Sequence, residues 1–131
     1  MRIIGGKYRS RRLNLVGKMT TRETSDMVRQ AVFNMIDVRD CQVLDLFCGS
    51  GAYALESISR GARFAYAVDF DHQAVQTVKQ NATELGCLES IQVLQMDYMK
   101  YLKTATTVFD VIFVDPPYQA DFYQNVLESI D

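Results

Sequence analysis

The apolar residues of this chain fall into four short, nearly continuous runs, each followed by polar residues interrupted at helical spacing. The runs are Val43-Leu44-Asp45-Leu46-Phe47, Phe64-Ala65-Tyr66-Ala67-Val68, Ile91-Gln92-Val93-Leu94 and Val111-Ile112-Phe113-Val114. Runs this apolar and this rich in β-branched and aromatic residues suit strands buried on both faces of a parallel sheet. A helix is expected over residues 52–60, with Gly61 beyond its end. The next helix has Asp71 as its cap, a stripe of Ala74, Val75, Val78, Ala82 and Leu85, and Gly86 as its stop. A short helix is expected over residues 98–103, and another around Phe122, Val126, Leu127 and Ile130. Strands alternating with helices predict an α/β fold, a doubly wound and mainly parallel sheet with right-handed crossovers.

Ahead of this unit the pattern changes. Residues 2–4 and 12–16 read as two short strands around Gly5-Gly6 and Ser10, that is, a hairpin. Residues 17–21 read as a loop. Thr24 or Ser25 then offers an N-cap for a helix whose stripe is Val28, Ala31, Val32, Met35 and Ile36, and residues 37–40 connect it to the first strand.

Composition narrows the class without changing this outline. At 131 residues, 48% hydrophobic and 23% charged, the chain is expected to form one globular domain with a core of its own. No apolar run reaches the roughly 18 residues of a membrane helix. The opening Met1-Arg2-Ile3-Ile4-Gly5-Gly6-Lys7 turns polar too soon for a signal peptide. Cys41, Cys48 and Cys87 form no C-x-x-C pair, and His72 is the one histidine, so no metal site is expected. The thiols read as those of a reduced, cytoplasmic protein.

Charge changes the picture more. Residues 1–29 carry eight basic side chains (Arg2, Lys7, Arg9, Arg11, Arg12, Lys18, Arg22 and Arg29) against Glu23 and Asp26, a balance of +6. The remainder carries −8, so a near-neutral total of −2 hides a basic arm on an acidic body. Clustered cations interleaved with Tyr8 suit a polyanionic partner, although a merely solvated face has the same composition.

The candidate chemistry follows from the fold class, because open α/β sheets bind ligands beyond the carboxyl ends of their strands. After the first strand comes Gly49-Ser50-Gly51-Ala52-Tyr53-Ala54, a G-x-G-x-x-A turn that suits a nucleoside or simply a tight strand-to-helix bend. Asp45, just before it, can receive an ammonium group. Asp69 ends the second run, 18 residues past Gly51, where a carboxylate can accept ribose hydroxyls. Asp97 follows the third and can accept an exocyclic amine or cap the next helix. After the fourth comes Asp115-Pro116-Pro117-Tyr118. Its two prolines stiffen the backbone and leave carbonyls, a carboxylate and a ring facing a planar amine.

The glycine turn and the D-P-P-Y stretch together resemble S-adenosylmethionine-dependent amino-methyltransferases. The opening block through Tyr8, Thr21 to Asn34, and Ser59-Arg60-Gly61-Ala62 are similar to the bacterial family that methylates guanine N2 in small-subunit (16S) ribosomal RNA. The resemblance covers essentially the whole chain and implies a Rossmann-like class I methyltransferase. By it, residues 1–24 form an RNA-contacting appendage and residues 25–131 the S-adenosylmethionine-binding domain. Asp45, Gly49 and Gly51 would line the methionine end of the cofactor, with Phe47 and Ser50 in the same site. Asp69 would hold the ribose, and Asp97 and Tyr98 the adenine. Asp115, Pro116 and Tyr118 would act on the target base. Lys7, Arg9, Arg11, Arg12 and Arg22 would meet RNA. The family fold has seven strands, so a sheet cut short after the fourth is expected here. No metal and no membrane are expected; a monomer acting on ribosomal RNA or the 30S assembly particle is.

Three other readings share parts of this pattern. A DNA adenine-N6 methyltransferase explains D-P-P-Y equally well. An NAD-dependent oxidoreductase shares the glycine turn but gives Asp45 and D-P-P-Y no task. A non-catalytic RNA-binding module explains the basic arm and leaves the strand-end carboxylates idle.

Overall fold

The computed structural model describes residues 1–16 and 26–115. Helix α1 (Asp26–Met35) leads into strand β1 (Gln42–Leu46). Then follow α2 (Ala52–Ser59), β2 (Phe64–Asp69), α3 (His72–Leu85), a 3-10 turn at Leu88–Ser90, β3 (Ile91–Gln95), α4 (Tyr98–Thr104) and β4 (Val111–Val114). Each apolar run becomes a strand within one residue of its expected bounds. β1 stops short of Phe47 because that residue turns to φ 64, where a strand cannot continue. The expected caps are in place: Asp71 accepts from the Gln73 amide, and Gly86 closes α3 at φ 80.

The four strands are parallel, in the order β3-β2-β1-β4. Alternation along β1 divides the core in two. Val43 joins Leu55, Ile58, Ala65, Val78 and Ala82 beneath α2 and α3 on one face. Leu44 and Leu46 join Val68 and Tyr101 beneath α4 on the other. Two crossovers thus cover one face and the third covers the opposite one. The strand order reverses between β1 and β4, and such a switch point opens a crevice at the carboxyl ends of the strands.

The amino-terminal segment differs from its expected form in two ways. The hairpin pairs as a single antiparallel bridge, Arg2 with Arg12, supported by Ile3 N to Arg11 O (2.9 Å), Ser10 N to Ile3 O (2.8 Å) and Leu13 N to Met1 O (3.0 Å). Three of its backbone donors turn to α2 instead: the amides of Ile4 and Gly5 go to the Glu56 carboxylate, and that of Lys7 to Ser59 O. Ile3 and Leu13 are buried in the core, so this arm is part of the body.

The second difference is the face of α1. Val28 is 51% and Met35 80% exposed, whereas Arg29 and Phe33 are buried. Of the expected stripe, Val32 packs against the core while Val28, Ala31, Met35 and Ile36 face outward, because a guanidinium fixes the helix rotation. Arg29 Nε donates to Glu56 Oε1 (3.2 Å), and its Nη2 donates to Asp26 Oδ1 (3.0 Å) and to Arg2 O. Glu56 also accepts from Arg60 Nε (2.8 Å). A buried carboxylate is tolerable only when paired and hydrogen-bonded in this way. One of the eight cations of the basic arm is thus a structural one. The expected caps Thr24 and Ser25, and the helix around Phe122, lie outside the described residues.

Candidate active site

The carboxyl edge of the sheet gathers most of the expected site residues at one level. In the last register pairs, Leu46 lies beside Val114 on one side and Val68 on the other, and Asp69 lies beside Gln95. Asp115, Phe47, Asp69 and Asp97 therefore leave four adjacent strands at the same rim, spanning about three strand spacings, roughly 14 Å.

The glycine turn is the centre of this rim. Gly49 and Gly51 have φ 54 and 85. A Cβ on Gly51 would come within 2.9 Å of Val78 Cγ1, so the turn lies tight on α3. Asp45 is 2% exposed, and its Oδ2 accepts from the Ala54 amide (3.0 Å) at the start of α2. That amide belongs to the first turn of α2, whose N–H groups have no acceptor within the helix itself. Asp69 stitches the second strand to the turn: Oδ2 accepts from the Gly49 amide (2.9 Å) and Oδ1 from the Asp71 amide (2.9 Å). Each of its oxygens keeps a second lone pair for a ligand hydroxyl.

Asp97 takes the capping role that the sequence left open. Its Oδ2 accepts from the amides of Met99 (3.1 Å) and Lys100 (3.3 Å), leaving Oδ1 without a protein donor among the described residues. Tyr98 lies against Phe47 with ring centroids 5.1 Å apart, and Phe70 stands 74% exposed after Asp69. Ser50 is fully buried, its hydroxyl 3.8 Å from Met1 Sδ, so it braces the turn from within. Asp115 is half-buried at the end of β4. Pro116, Tyr118 and Arg22 lie outside the described residues.

This donor set fits S-adenosylmethionine. It offers acidic groups for an ammonium and a ribose, aromatic faces and an acceptor for an adenine, and left-handed glycines for close backbone approach. No group of His, Cys, Asp and Glu suited to a metal ion occurs among the described residues.

The basic residues of the arm are elsewhere. The hairpin runs along α2 from Met1, beside Ser50, to Lys7 and Tyr8, whose amides meet Ser59 O (2.7 Å) and Oγ (2.8 Å). Lys7 and Arg9 thus stand near the far end of α2, about 12 Å from the glycine turn at 1.5 Å per residue. Arg11 Nη2 donates to Glu84 O (2.7 Å) at the end of α3. Lys7, Arg9, Arg11 and Arg12 are all exposed. A cleft of about 370 Å³ lies at this same end, lined by Gly6, Ile36, Asp37, Val38, Arg39 and Arg60. Both of its arginines are already committed, to Asp37 and Glu56.

The sequence reading passed over Glu56, Arg29 and Asn81, all buried. Glu56 left one signal, as the lone charge in a helix otherwise made of apolar, tyrosine and serine residues. Arg29 and Asn81 looked like ordinary polar helix positions.

Comparison with known proteins agrees with this fold. A family model described as conserved hypothetical protein 95 matches residues 1–131. YlbH of Bacillus subtilis (strain 168), which carries the name of an rRNA methyltransferase, is 39% identical over the whole of this chain and 74% of its own length. Ribosomal RNA small subunit methyltransferase D of Escherichia coli (strain K12) is 32% identical over the whole of this chain and 67% of its own. The solved structure of Escherichia coli yhhF, described as a methyltransferase, superposes with a TM-score of 0.89 at 31% identity, covering 99% of this chain and 71% of that one. The match thus runs from the hairpin through the D-P-P-Y stretch, and the chain belongs to the conserved hypothetical protein 95 family, that of the small-subunit ribosomal RNA methyltransferase D proteins.

Proposed function

We propose that this protein transfers a methyl group from S-adenosylmethionine to the exocyclic N2 amine of a guanine in small-subunit (16S) ribosomal RNA. The observation that carries the reading is the common rim of Asp69, Asp97 and Asp115 around one glycine turn with Asp45 buried beneath it, at the β1/β4 switch point. The cofactor, when bound, supplies an already electrophilic methyl on a sulfonium, so no covalent enzyme intermediate is required. The protein's task is positioning and charge. Asp45 and the turn hold the amino-acid end, Asp69 the ribose hydroxyls, and Asp97 with Tyr98 the adenine.

The guanine N2 lone pair is delocalised into its ring, so the amine is a poor nucleophile. Asp115 and the Pro116 carbonyl accept its two hydrogens and turn the lone pair toward the methyl. The carboxylate would stabilise the positive nitrogen that develops as the N2–methyl bond forms and the methyl–sulfur bond breaks, the surplus N2 proton then leaving to solvent, and Tyr118 would stack on a base taken out of the helix. Lys7, Arg9, Arg11, Arg12 and Arg22 hold RNA phosphates beyond the site. The reading also gives the protein a cytoplasmic setting, ribosomal RNA or the 30S assembly particle as its partner, and a monomeric state.

The test is labelled-methyl transfer to small-subunit RNA from a strain lacking the modification, followed by nucleoside mass spectrometry. N2-methylguanosine is expected. N6-methyladenine in a DNA control would instead favour the DNA-modifying reading. Asp115→Ala is expected to abolish transfer while leaving S-adenosylhomocysteine binding within about two-fold, well under the ten-fold of 1.4 kcal/mol; near-normal turnover would refute its role.

A further inference from the structure

Asn81 lies in the middle of α3, 1% exposed, with every hydrogen-bonding position of its amide in use. Its Oδ1 accepts from the backbone N and from Nδ2 of Asn14, both at 2.8 Å. Its Nδ2 donates to Asn14 O (3.1 Å) and to Ser50 O (3.0 Å). Two acceptor sites and two donor hydrogens are all that a primary amide has. One side chain thus joins the second arm of the hairpin to the carbonyl between the two left-handed glycines. Asn14 belongs to the same short stretch as Arg11 and Arg12, and its Nδ2 also reaches Glu84 Oε1 (3.1 Å).

A brace for α3 alone would not need this arrangement. A buried amide could be satisfied by neighbouring backbone within its own helix or replaced by an apolar residue of similar volume. Here it reaches out of its helix in two directions, toward two elements to which the proposed function gives different ligands. The hairpin is held on Asn81 by three hydrogen bonds and the glycine turn by one. Displacing either element leaves a buried polar group unmatched, which is costly in a low-dielectric interior.

We infer that Asn81 is a positioning residue that couples RNA binding on the hairpin to cofactor binding at the glycine turn. This rests on the function proposed above. RNA phosphates that fix the arm through Arg11 and Arg12 fix Asn14, and Asn81 then holds the Ser50 carbonyl and the turn around it. The cofactor meets a loop whose ordering is already complete, so it binds more tightly with RNA bound than without it. Linkage makes the effect reciprocal: the cofactor tightens RNA binding by the same factor.

The test measures S-adenosylhomocysteine affinity by calorimetry on the intact protein, with and without unmethylated small-subunit ribosomal RNA. The unmodified protein is expected to bind the nucleoside at least roughly five-fold more tightly with RNA present. In Asn81→Ala the two affinities converge, and the RNA-dependent part of KM for the cofactor disappears with them. A merely structural asparagine would lower both affinities and leave their ratio unchanged, and that result overturns the inference. So does an unmodified protein that binds both ligands with no coupling, a result that leaves the proposed function standing. Binding of neither ligand overturns the proposed function and the coupling together. If Asn81→Ala does not fold, Asn14→Ala removes one of the three hairpin bonds to Asn81, together with the Asn14 bond to Glu84, without substituting a residue of α3. A partial loss of coupling is then expected, and full coupling overturns the inference.

Discussion

The two ends of α2 solve opposite problems with the same chemical group. Its first turn receives the buried carboxylate of Asp45 beneath two left-handed glycines, and the surrounding acidic groups, Asp69 and Asp97, keep acceptor capacity to spare. Toward its other end α2 supplies its own carboxylate, Glu56, which is saturated: two guanidinium groups and two backbone amides converge on it. Spare lone pairs on Asp69 and Asp97 lie at the end that the proposed function gives to a ligand, and saturation lies at the end that fastens the hairpin and α1. Burial is the same for both carboxylates, 2% exposure for Asp45 and 0% for Glu56, so burial does not separate the two ends.

The sharpest way to break the comparison is Glu56→Gln. It keeps the shape and removes the buried one of the two carboxylates paired with Arg29, leaving the half-exposed Asp26 as the remaining counter-charge among the described residues. Loss of one partner of such a pair costs about 3–5 kcal/mol, read from urea unfolding. A loss under about 1 kcal/mol would mean that the amides, and not the charge, hold the knot. At the ligand end, Gly51→Ala forces a side chain into φ 85 and against Val78. It is expected to cost about 1–3 kcal/mol of stability and to weaken S-adenosylhomocysteine binding roughly ten-fold. Unchanged affinity would separate the turn's shape from its binding.

How much of this was legible in the sequence divides along the same line. The strands were plain because β-branched runs buried on both faces leave no polar interruption to misread. The caps were plain because Asp71 and Gly86 act on their own neighbours. The rotation of α1 was not, because hydrophobic periodicity scores Arg29 as a surface residue. Only its distant partner Glu56, 27 residues along the chain, makes it a core one. Asn81 escaped for the same reason. The carboxyl rim was legible through topology, since strand ends in a doubly wound sheet share an edge. The position of the basic arm at the far end of α2 was not, because charge counting carries no direction.

The smallest effect sharpens the contrast at the exposed connector before β1. Asp37 is held down to about 2 by hydrogen bonds from the Arg39 side chain and backbone amide. Its folded value lies below the ordinary carboxylate range near 3.9, so the favourable interaction is complete above pH ~4 and is lost as pH falls through about 2. Arg39→Gln is expected to return the carboxyl titration, followed by NMR, most of the way to the ordinary range. Because the pair is solvent-exposed, the unfolding midpoint at neutral pH should barely move.

The seating of the hairpin on α2 has a corollary for substitution. The bonds that attach it use the main chain of residues 4, 5, 7 and 8, with Gly6 required because a Cβ there would lie 2.0 Å from the Ser59 carbonyl oxygen. The mount is therefore indifferent to what Lys7 and Arg9 carry outward. Either side chain can be exchanged for another without disturbing the platform beneath.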